Sequence, residues 1–182
     1  MKQESTVKYI LRLTFTLLLI CAVVAGILAA VNAVTAPIIA ASKAAKTQAA
    51  IEAVLPGGGM ETEFSDETGL VTKAYIGKNG YAVQVAPSGF GGAITMMVGV
   101  DFDGKVLGIS IISHAETPGL GAVAAQNTDK GVAFREQFVG LISGITIGDG
   151  DNQIDSLSGA TISSQAIVDG VNAALECVKN LG

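Results

Sequence analysis

The sequence predicts an α+β protein, in which a single N-terminal transmembrane helix precedes a mostly antiparallel sheet domain with a packed C-terminal helix. Three observations support this fold class. A long uncharged apolar run lies near the start of the chain, and short alternating strand patterns joined by glycine-containing turns follow it. The last segment then repeats apolar residues at the spacing of a helix face.

The apolar run predicts the first element. Between Leu13 and Ser42 there is no Asp, Glu, Lys, Arg or His, and the segment from Tyr9 to Asn32 is long enough to span a bilayer, which takes about 20 residues. A cleaved signal peptide also begins with basic residues, but its apolar region is only about 7–15 residues long. We therefore expect a cytoplasmic tail and transmembrane helix over residues 1–35.

Charge is unevenly divided along the chain. Residues 1–46 carry five basic groups and one acidic group, a net charge of +4, whereas residues 47–182 carry six basic and fifteen acidic groups, a net charge of −9. The basic residues concentrate before the apolar run, which favours a single-pass protein of the cell (inner) membrane with a cytoplasmic N-terminus and an extracytoplasmic body. Membrane lipid is an expected partner. Nucleic acid is not, because binding its phosphates needs clustered Lys and Arg.

Two further segments complete the predicted organisation. An Ala-rich stretch of good helix formers follows Pro37 and ends at Pro56, which predicts a helical stalk over residues 36–56, continuing or restarting the first helix. Residues 57–182 remain as one domain. Asp103-Gly104 is a strong hairpin signal, and an antiparallel meander is expected. Its predicted strands are Leu70–Ile76, Tyr81–Ala86, Ala93–Asp101 and Lys105–Ser113.

The rest of the domain is predicted to be largely helical. Short amphipathic pieces cover Val123–Gln126 and Val132–Phe138, and apolar residues between Ile167 and Val178 recur on one helix face. We expect a C-terminal helix over Ile162–Leu181 that packs against the sheet.

Small and hydroxylated residues lie immediately before this C-terminal helix, in the segment Asp155–Ser164 (DSLSGATISS). The free N–H groups and the dipole of a helix start attract an anion, and Gly159 and Ala160 allow close approach of the backbone. The pattern suits a phosphate group. It also suits an ordinary N-cap, because Ser and Thr are common capping residues that need no ligand. The residues alone leave both interpretations open.

Three motifs in one order resemble those of the FMN-binding domain family. Residues 155–161 (DSLSGAT) are similar to the flavinylation motif of that family, and its Gly-rich and Glu-Thr-Pro-Gly-Leu-Gly segments have counterparts at residues 89–94 and 116–121. A single anchor followed by a domain of this size further resembles the G subunits of Rnf electron transport complexes. The C subunits of sodium-pumping NADH:quinone oxidoreductases are a related alternative.

The resemblance implies a covalent cofactor and its site. In the family, FMN is joined through a phosphoester bond to the last threonine of the motif, here Thr161, by a flavin transferase that takes it from FAD. Asp155 is then expected to serve recognition by that transferase, or metal-assisted transfer, and not flavin binding, because its carboxylate would repel the phosphate. The other residues that the resemblance assigns to cofactor binding are Ser158, Gly159, Ala160, Glu116, Thr117, Gly119 and Leu120.

The resemblance also implies a function. It predicts an electron-transfer subunit of an ion-translocating ferredoxin:NAD oxidoreductase, inert as an isolated chain, whose partners are the other membrane, iron–sulfur and flavin subunits of that complex. A non-redox extracytoplasmic binding or sensor module with the same pocket is the alternative. No metal site is expected, since Cys21 and Cys177 lie far apart in the sequence and His114 is the only histidine. His114 is interpreted as structural or as a hydrogen-bond donor to the flavin edge.

Overall fold

The structure is a computed structural model that describes residues 2–181, with side chains from residue 7 onward. It confirms the predicted fold class. The helices are α1 (Lys2–Val54), α2 (Asp129–Glu136) and α3 (Thr161–Leu181), with a 3-10 helix at Gly121–Ala125. The strands are β1 (Met60–Thr62), β2 (Val71–Ile76), β3 (Gly80–Val85), β4 (Thr95–Asp101), β5 (Val106–Ser113), β6 (Thr146–Ile147) and β7 (Gln153–Ile154).

The chain divides into two compact units, residues 1–45 and residues 46–182. The first unit is the apolar part of α1, whose side chains from Val7 to Ile39 are largely exposed. Within residues 2–181, α1 is the one helix long and apolar enough to cross a membrane. Pro37 lies inside it, so the helix continues past the proline instead of restarting. The expected division of the chain at residues 36 and 57 stays a prediction.

The second unit is built on a five-stranded antiparallel meander in the order β1-β2-β3-β4-β5. The predicted hairpin between β4 and β5 is confirmed. The amide of Gly104 donates to the carbonyl of Asp101 at 3.2 Å, and Gly104 has a φ of +78°, which a side chain would disfavour. The exposed edge strand β1 and the short parallel pair β6–β7 were not predicted, because segments of two or three residues carry no periodic pattern.

Helix α3 covers one face of the sheet and forms the main core with it. Met96 and Met97 are neighbours in β4, so their side chains lie on opposite faces of the sheet, and both are fully buried. Met96 belongs to the main core, whereas Met97 lies on the other face. The central strands are therefore covered on both sides. The α3 residues in the main core are Ala166, Ile167, Val168, Val171, Ala174, Leu175, Cys177 and Val178.

The other face of the sheet is covered by the end of α1. The side chains of Ala50, Ile51, Val54 and Leu55 pack there with Tyr75, Ala82 and Met97. A Cβ placed on Gly99 of β4 would lie 2.5 Å from the carbonyl oxygen of Val54. The absence of a side chain at Gly99 thus allows the helix to approach the strand closely. We name the packed segment 50–55 the α1 cap; it is part of the core of the second unit.

The two short helical pieces that the sequence predicts are present, both shifted toward the N-terminus. Helix α2 begins early because the Thr128 hydroxyl accepts a hydrogen bond from the amide of Gly131 at 3.3 Å. The Arg135 guanidinium on α2 donates to the carbonyl oxygens of Ala124 and Gln126 at 2.6 and 2.9 Å. These bonds fix α2 against the 3-10 helix that follows the β5 loop.

Candidate functional site

A cavity of about 370 Å³ opens beside the N-terminus of α3. Its walls come from three segments far apart in sequence: the Gly-rich loop before β4, the loop after β5 and the start of α3. Its volume falls within the range of about 300–1,000 Å³ typical of small-molecule sites. The residues that line it are Phe90, Glu116, Thr117, Leu120, Gly121, Gly159, Ala160, Thr161, Ile162 and Ser163.

Six of the residues predicted to form the site lie together in this cavity, and three lie outside its lining. Those in the lining are Glu116, Thr117, Leu120, Gly159, Ala160 and Thr161, and those outside it are Ser158, Gly119 and Asp155. The two predicted motif segments are thus brought face to face across a single cavity. The assignment of each residue to a cofactor stays a prediction.

Helix α3 begins at Thr161, whose side chain is exposed. The preceding position holds Ala160, which has no side-chain oxygen to cap the helix. The Ser164 hydroxyl donates to the Ala160 carbonyl at 3.0 Å and accepts from the amide of Leu157 at 2.9 Å. The first N–H groups of a helix have no partner within the helix, and here the preceding residue cannot cap them with a side chain. The start of α3 therefore fits an anionic ligand better than it fits the interpretation as an ordinary N-cap.

Two tight turns place the cavity walls. In the first, the amide of Leu120 donates to the carbonyl of Thr117 at 3.1 Å, and Gly119 has a φ of +79°. This hydrogen bond and the positive φ, with Pro118 at the second position, are typical of a type II turn. In the second, the amide of Ala160 donates to the carbonyl of Leu157 at 2.9 Å, and Gly159 has a φ of +73°. Both turns need glycine at their third position.

Glu116 is the acidic residue of the cavity and is only 6% exposed. Its Oε1 accepts a hydrogen bond from the amide of Gly91 at 2.9 Å, and its Oε2 accepts one from the Ser163 hydroxyl at 2.5 Å. Its own amide donates to Nδ1 of His114 at 3.2 Å. Both carboxylate oxygens therefore have partners within the protein, as a buried charge requires.

The cavity has an apolar rim. Phe90, Ile162 and Leu120 are 71%, 58% and 44% exposed, respectively. Among the described residues that line the cavity none is basic. A ligand with a planar apolar part could contact the rim, while its anionic part would depend on backbone N–H groups.

Four lining residues were not among the predicted site residues: Phe90, Gly121, Ile162 and Ser163. A signal for two of them existed. Phe90 is an aromatic residue inside a glycine-rich loop, and Ile162 lies off the apolar face of α3. Ser163 and Gly121 lie in segments that the sequence singled out, residues 155–164 and 116–121, but their contacts with Glu116 could not be predicted from those segments.

The remaining candidates lie at the surface. His114 is exposed, and its Nδ1 accepts a hydrogen bond, which fits a structural role. The backbone amide of Asp155 donates to Oε1 of Gln137 at 2.8 Å, and the Asp155 residue itself is exposed. Among residues 7–181, whose side chains the structure describes, there is no group of three or more His, Cys, Asp or Glu residues that could hold a metal ion.

Comparison with known protein families defines the class of this chain. A family model described as FMN-binding domain matches residues 89–176, and one described as RnfG N-terminal region matches residues 1–54. The first match covers the whole cavity and the second covers α1. Together they define a membrane-anchored protein with an FMN-binding domain, as the three sequence motifs implied.

Relatives that match along nearly their whole length show which family of membrane-anchored FMN-binding proteins this chain belongs to. The chain is 33% identical to the G subunit of the Na(+)-translocating ferredoxin:NAD(+) oxidoreductase complex of Acetobacterium woodii, over 96% of this chain and 94% of that one. It is 32% identical to the G subunit of the proton-translocating ferredoxin:NAD(+) oxidoreductase complex of Clostridium ljungdahlii, over 98% and 96%. The chain belongs to the family of Rnf complex G subunits.

A solved structure was also found to be similar. It is the C subunit of the Na(+)-translocating NADH-quinone reductase of Parabacteroides distasonis, with a TM-score of 0.46 and 22% identity. The match covers 65% of this chain and 60% of that one.

Proposed function

We propose that this chain is a membrane-anchored electron-transfer subunit that carries FMN covalently on Thr161, within an ion-translocating ferredoxin:NAD oxidoreductase complex. One observation supports the proposal above all: an exposed threonine opens α3 at the edge of a cavity and follows a residue that cannot cap the helix. The relatives named above are G subunits of such complexes, and this favours the proposal over the alternative of a quinone reductase component.

The residues present fit an FMN phosphate. The first N–H groups of α3 point along the helix dipole, which stabilises a neighbouring negative charge by about 0.3–1 kcal/mol at a surface site. The phosphoester would form when the Thr161 hydroxyl, losing its proton, attacks the FMN phosphorus of FAD and the phosphoanhydride bond breaks with release of AMP, and it would lie beside these groups. Gly159 and Ala160 leave room for it, because neither carries a side chain longer than a methyl group. The cavity offers no Lys or Arg among its lining residues, so the helix start is its source of positive potential.

The residues present also fit the flavin ring. The exposed side chains of Phe90, Leu120 and Ile162 form an apolar rim that would gain from being covered by a planar ring. When bound, the flavin supplies the electron-transfer chemistry. The chain supplies the fixed attachment, the apolar contact and the hydrogen-bonding groups of the 117–120 turn. Covalent attachment keeps the cofactor on the protein even where free FMN is scarce.

Asp155 is assigned to recognition by the flavin transferase. It is exposed, lies six positions before Thr161 and is not part of the cavity lining. A carboxylate there is accessible to another protein without facing the phosphate. Replacing it as Asp155→Ala should slow flavin attachment, measured as the flavinylated fraction by intact mass. Attachment at the normal rate would show the assignment to be wrong.

The FMN domain is assigned to the extracytoplasmic side. Lys2, Lys8 and Arg12 precede the apolar run, whereas only Lys43 and Lys46 follow it closely. Protease added to spheroplasts should therefore digest the domain and leave an anchor fragment protected. Digestion only after the membrane is opened would place the domain in the cytoplasm and refute this assignment.

The central experiment tests the attachment residue. The full chain is expressed with a flavin transferase as wild type, Thr161→Ala and Thr161→Ser, with Thr146→Ala as a control at an exposed threonine away from the cavity. Wild type and the control should fluoresce on a denaturing gel and show the added mass of one covalent FMN. Thr161→Ala should show neither, and Thr161→Ser should retain at least part of both.

The same measurement separates the alternatives. A fluorescent Thr161→Ala band would refute Thr161 as the attachment point. Wild type without covalent flavin would favour a non-redox binding module. If flavin is present, its reduction by the assembled membrane complex, and its failure to be reduced in membranes lacking the other subunits, would establish the electron-transfer role.

A further inference from the structure

We propose that Glu116 is a positioning residue that acts through Ser163 to hold the start of α3, and with it Thr161, in the arrangement that accepts the flavin. This inference rests on the function proposed above and deepens it. The resemblance assigns Glu116 to cofactor binding, whereas the contacts of its carboxylate point to a different role.

The contacts form a unit that we call the carboxylate clamp: the side chain of Glu116, the amide of Gly91 and the hydroxyl of Ser163. The two hydrogen bonds measure 2.9 and 2.5 Å, and the partners lie 25 and 47 positions away from Glu116 in the sequence. A hydrogen bond to an ionised carboxylate is stronger than a neutral one. The clamp therefore joins all three segments that form the cavity walls.

The clamp leaves little capacity for a ligand. One oxygen of Glu116 is taken by an amide and the other by a hydroxyl, and the residue is almost fully buried. Its negative charge would also repel a phosphate. These contacts assign Glu116 to the framework that holds the cavity wall together.

Two glycines, Gly121 and Gly89, leave the space that the clamp occupies, and a third, Gly91, lets its loop approach the backbone of Ala115. A Cβ on Gly121 would overlap both the Ser163 hydroxyl and the Glu116 carboxylate, and a Cβ on Gly89 would overlap the other carboxylate oxygen. A Cβ on Gly91 would overlap the carbonyl oxygen of Ala115. None of these glycines has a positive φ, so close packing, and not backbone conformation, excludes a side chain: packing against the carboxylate at Gly89 and Gly121, and against the Ala115 backbone at Gly91.

The position of Ser163 explains how the clamp reaches Thr161. Ser163 is the third residue of α3, in the same turn as Thr161. Because Ala160 provides no side-chain cap, that turn lacks the usual local fixing point at its N-terminus. The clamp fixes the turn from the side instead. Misplacing a reacting group by about 1 Å can lower a rate by about 100-fold, so loss of the clamp should slow attachment without removing any reacting group.

The test compares initial rates of flavin attachment in the full chain, expressed with a flavin transferase and followed by denatured intact mass. The variants are Glu116→Ala, Ser163→Ala, the double variant and Glu116→Gln. Gln165→Ala serves as a matched control, because Gln165 is exposed on the same helix and bonds only to Asp169 at 2.8 Å. Thr161→Ala is run beside them, and far-UV circular dichroism checks that each variant is folded.

We expect each alanine variant to lower the rate by about 10- to 100-fold. The double variant should be no more than about twofold slower than the slower single variant, because both remove the same contact. Glu116→Gln should stay within about threefold of wild type, since its amide oxygen can accept from Gly91 and its NH₂ group can donate to Ser163. A residue that only stabilised the fold would not give this combination of non-additivity and rescue.

Three results would overturn the proposal: a folded alanine variant that is flavinylated at the wild-type rate, single effects that multiply in the double variant, or a Gln variant as slow as Glu116→Ala. If Glu116→Ala does not fold, Ser163→Ala decides, and a normal rate there refutes the clamp. The outcome for Thr161→Ala keeps the two proposals apart. Flavin on that variant refutes the proposed function, whereas its absence combined with normal Glu116→Ala refutes the clamp alone.

Discussion

The α1 cap leads to a strong prediction about stability, because residues 50–55 were expected to be part of a stalk and instead lie in the core of the domain. Leu55 is 0% exposed and packs with residues of β2, β3 and β4. Replacing it as Leu55→Ala should destabilise the domain substantially. If residues 50–55 merely linked the anchor to the domain, the same change would have almost no effect.

The expected magnitude follows from the burial. Leu→Ala removes apolar atoms worth about 0.8 kcal/mol per buried CH₂, and a cavity left in a close-packed core adds to that loss. Together these effects give about 2–5 kcal/mol for a fully buried leucine. The total stability of a domain is about 5–15 kcal/mol, so one substitution should remove a large share of it. Ile76→Ala is the matched control, because Ile76 is 38% exposed and should cost far less.

The assay is urea unfolding of the fragment 46–182, followed by circular dichroism. Leu55→Ala should lower the transition midpoint with little change in its slope, which reports the surface exposed on unfolding. A loss below about 1 kcal/mol would refute the assignment of the α1 cap to the core. A fragment beginning at residue 57 provides a second check, because it would expose Met97 and Ala82 on the uncovered sheet face and should aggregate or unfold more readily.

Two further predictions concern ionisable groups in the same fragment. Burial raises the pKa of Asp66, but hydrogen bonds from the Thr68 hydroxyl and from the amides of Val71 and Thr68 outweigh it, so the pKa lies below its usual value. The Asp66 carboxylate therefore stabilises the folded state above about pH 4, and this stabilisation is lost as the pH falls through the lowered pKa. The difference in unfolding free energy between wild type and Asp66→Asn should be constant near pH 6 and shrink in acid. A difference that does not change with pH would contradict this. Burial raises the pKa of the Cys177 thiol, and the Asp66 charge adds a smaller effect in the same direction. A thiol reagent at pH 8 should therefore label Cys177 only when the fragment unfolds. Rapid labelling of the native fragment would contradict this.

Much of the fold could be predicted because its signals are local. Alternation located β2 to β5 within two residues of their observed ends, and Asp103-Gly104 located the hairpin. The start of α3 was predicted one residue late, at Ile162 instead of Thr161. In each case a few neighbouring residues determine the backbone conformation.

The α1 cap was missed for a different reason. Ile51, Val54 and Leu55 have the spacing of one helix face, so a signal was present. The surrounding Ala-rich sequence concealed it, since alanine fits an exposed stalk as well as a packed helix. Which surface covers such a face depends on Tyr75 and Met97, which follow much later in the chain.

The candidate site was predicted in outline from its motifs, but not in its connections. The sequence motifs assigned Glu116 and Thr161 to the same predicted site, but they did not show that Glu116 contacts the first turn of α3 through Ser163. The carboxylate clamp depends on contacts between segments 25 and 47 residues apart, which no local pattern encodes. Gly121 is understood only once the serine and the carboxylate beside it are located.

The order in which the chain is made has a consequence for the cavity. Its walls come from residues 90–121 and 159–163, and α3 also supplies one side of the main core. During synthesis the strands emerge before α3, so one face of the sheet stays uncovered until the last helix has been made. The cavity exists only after α3 has packed. An enzyme that recognises the shape of the cavity, and not merely the sequence around Thr161, would therefore modify the completely folded domain and not an incomplete chain.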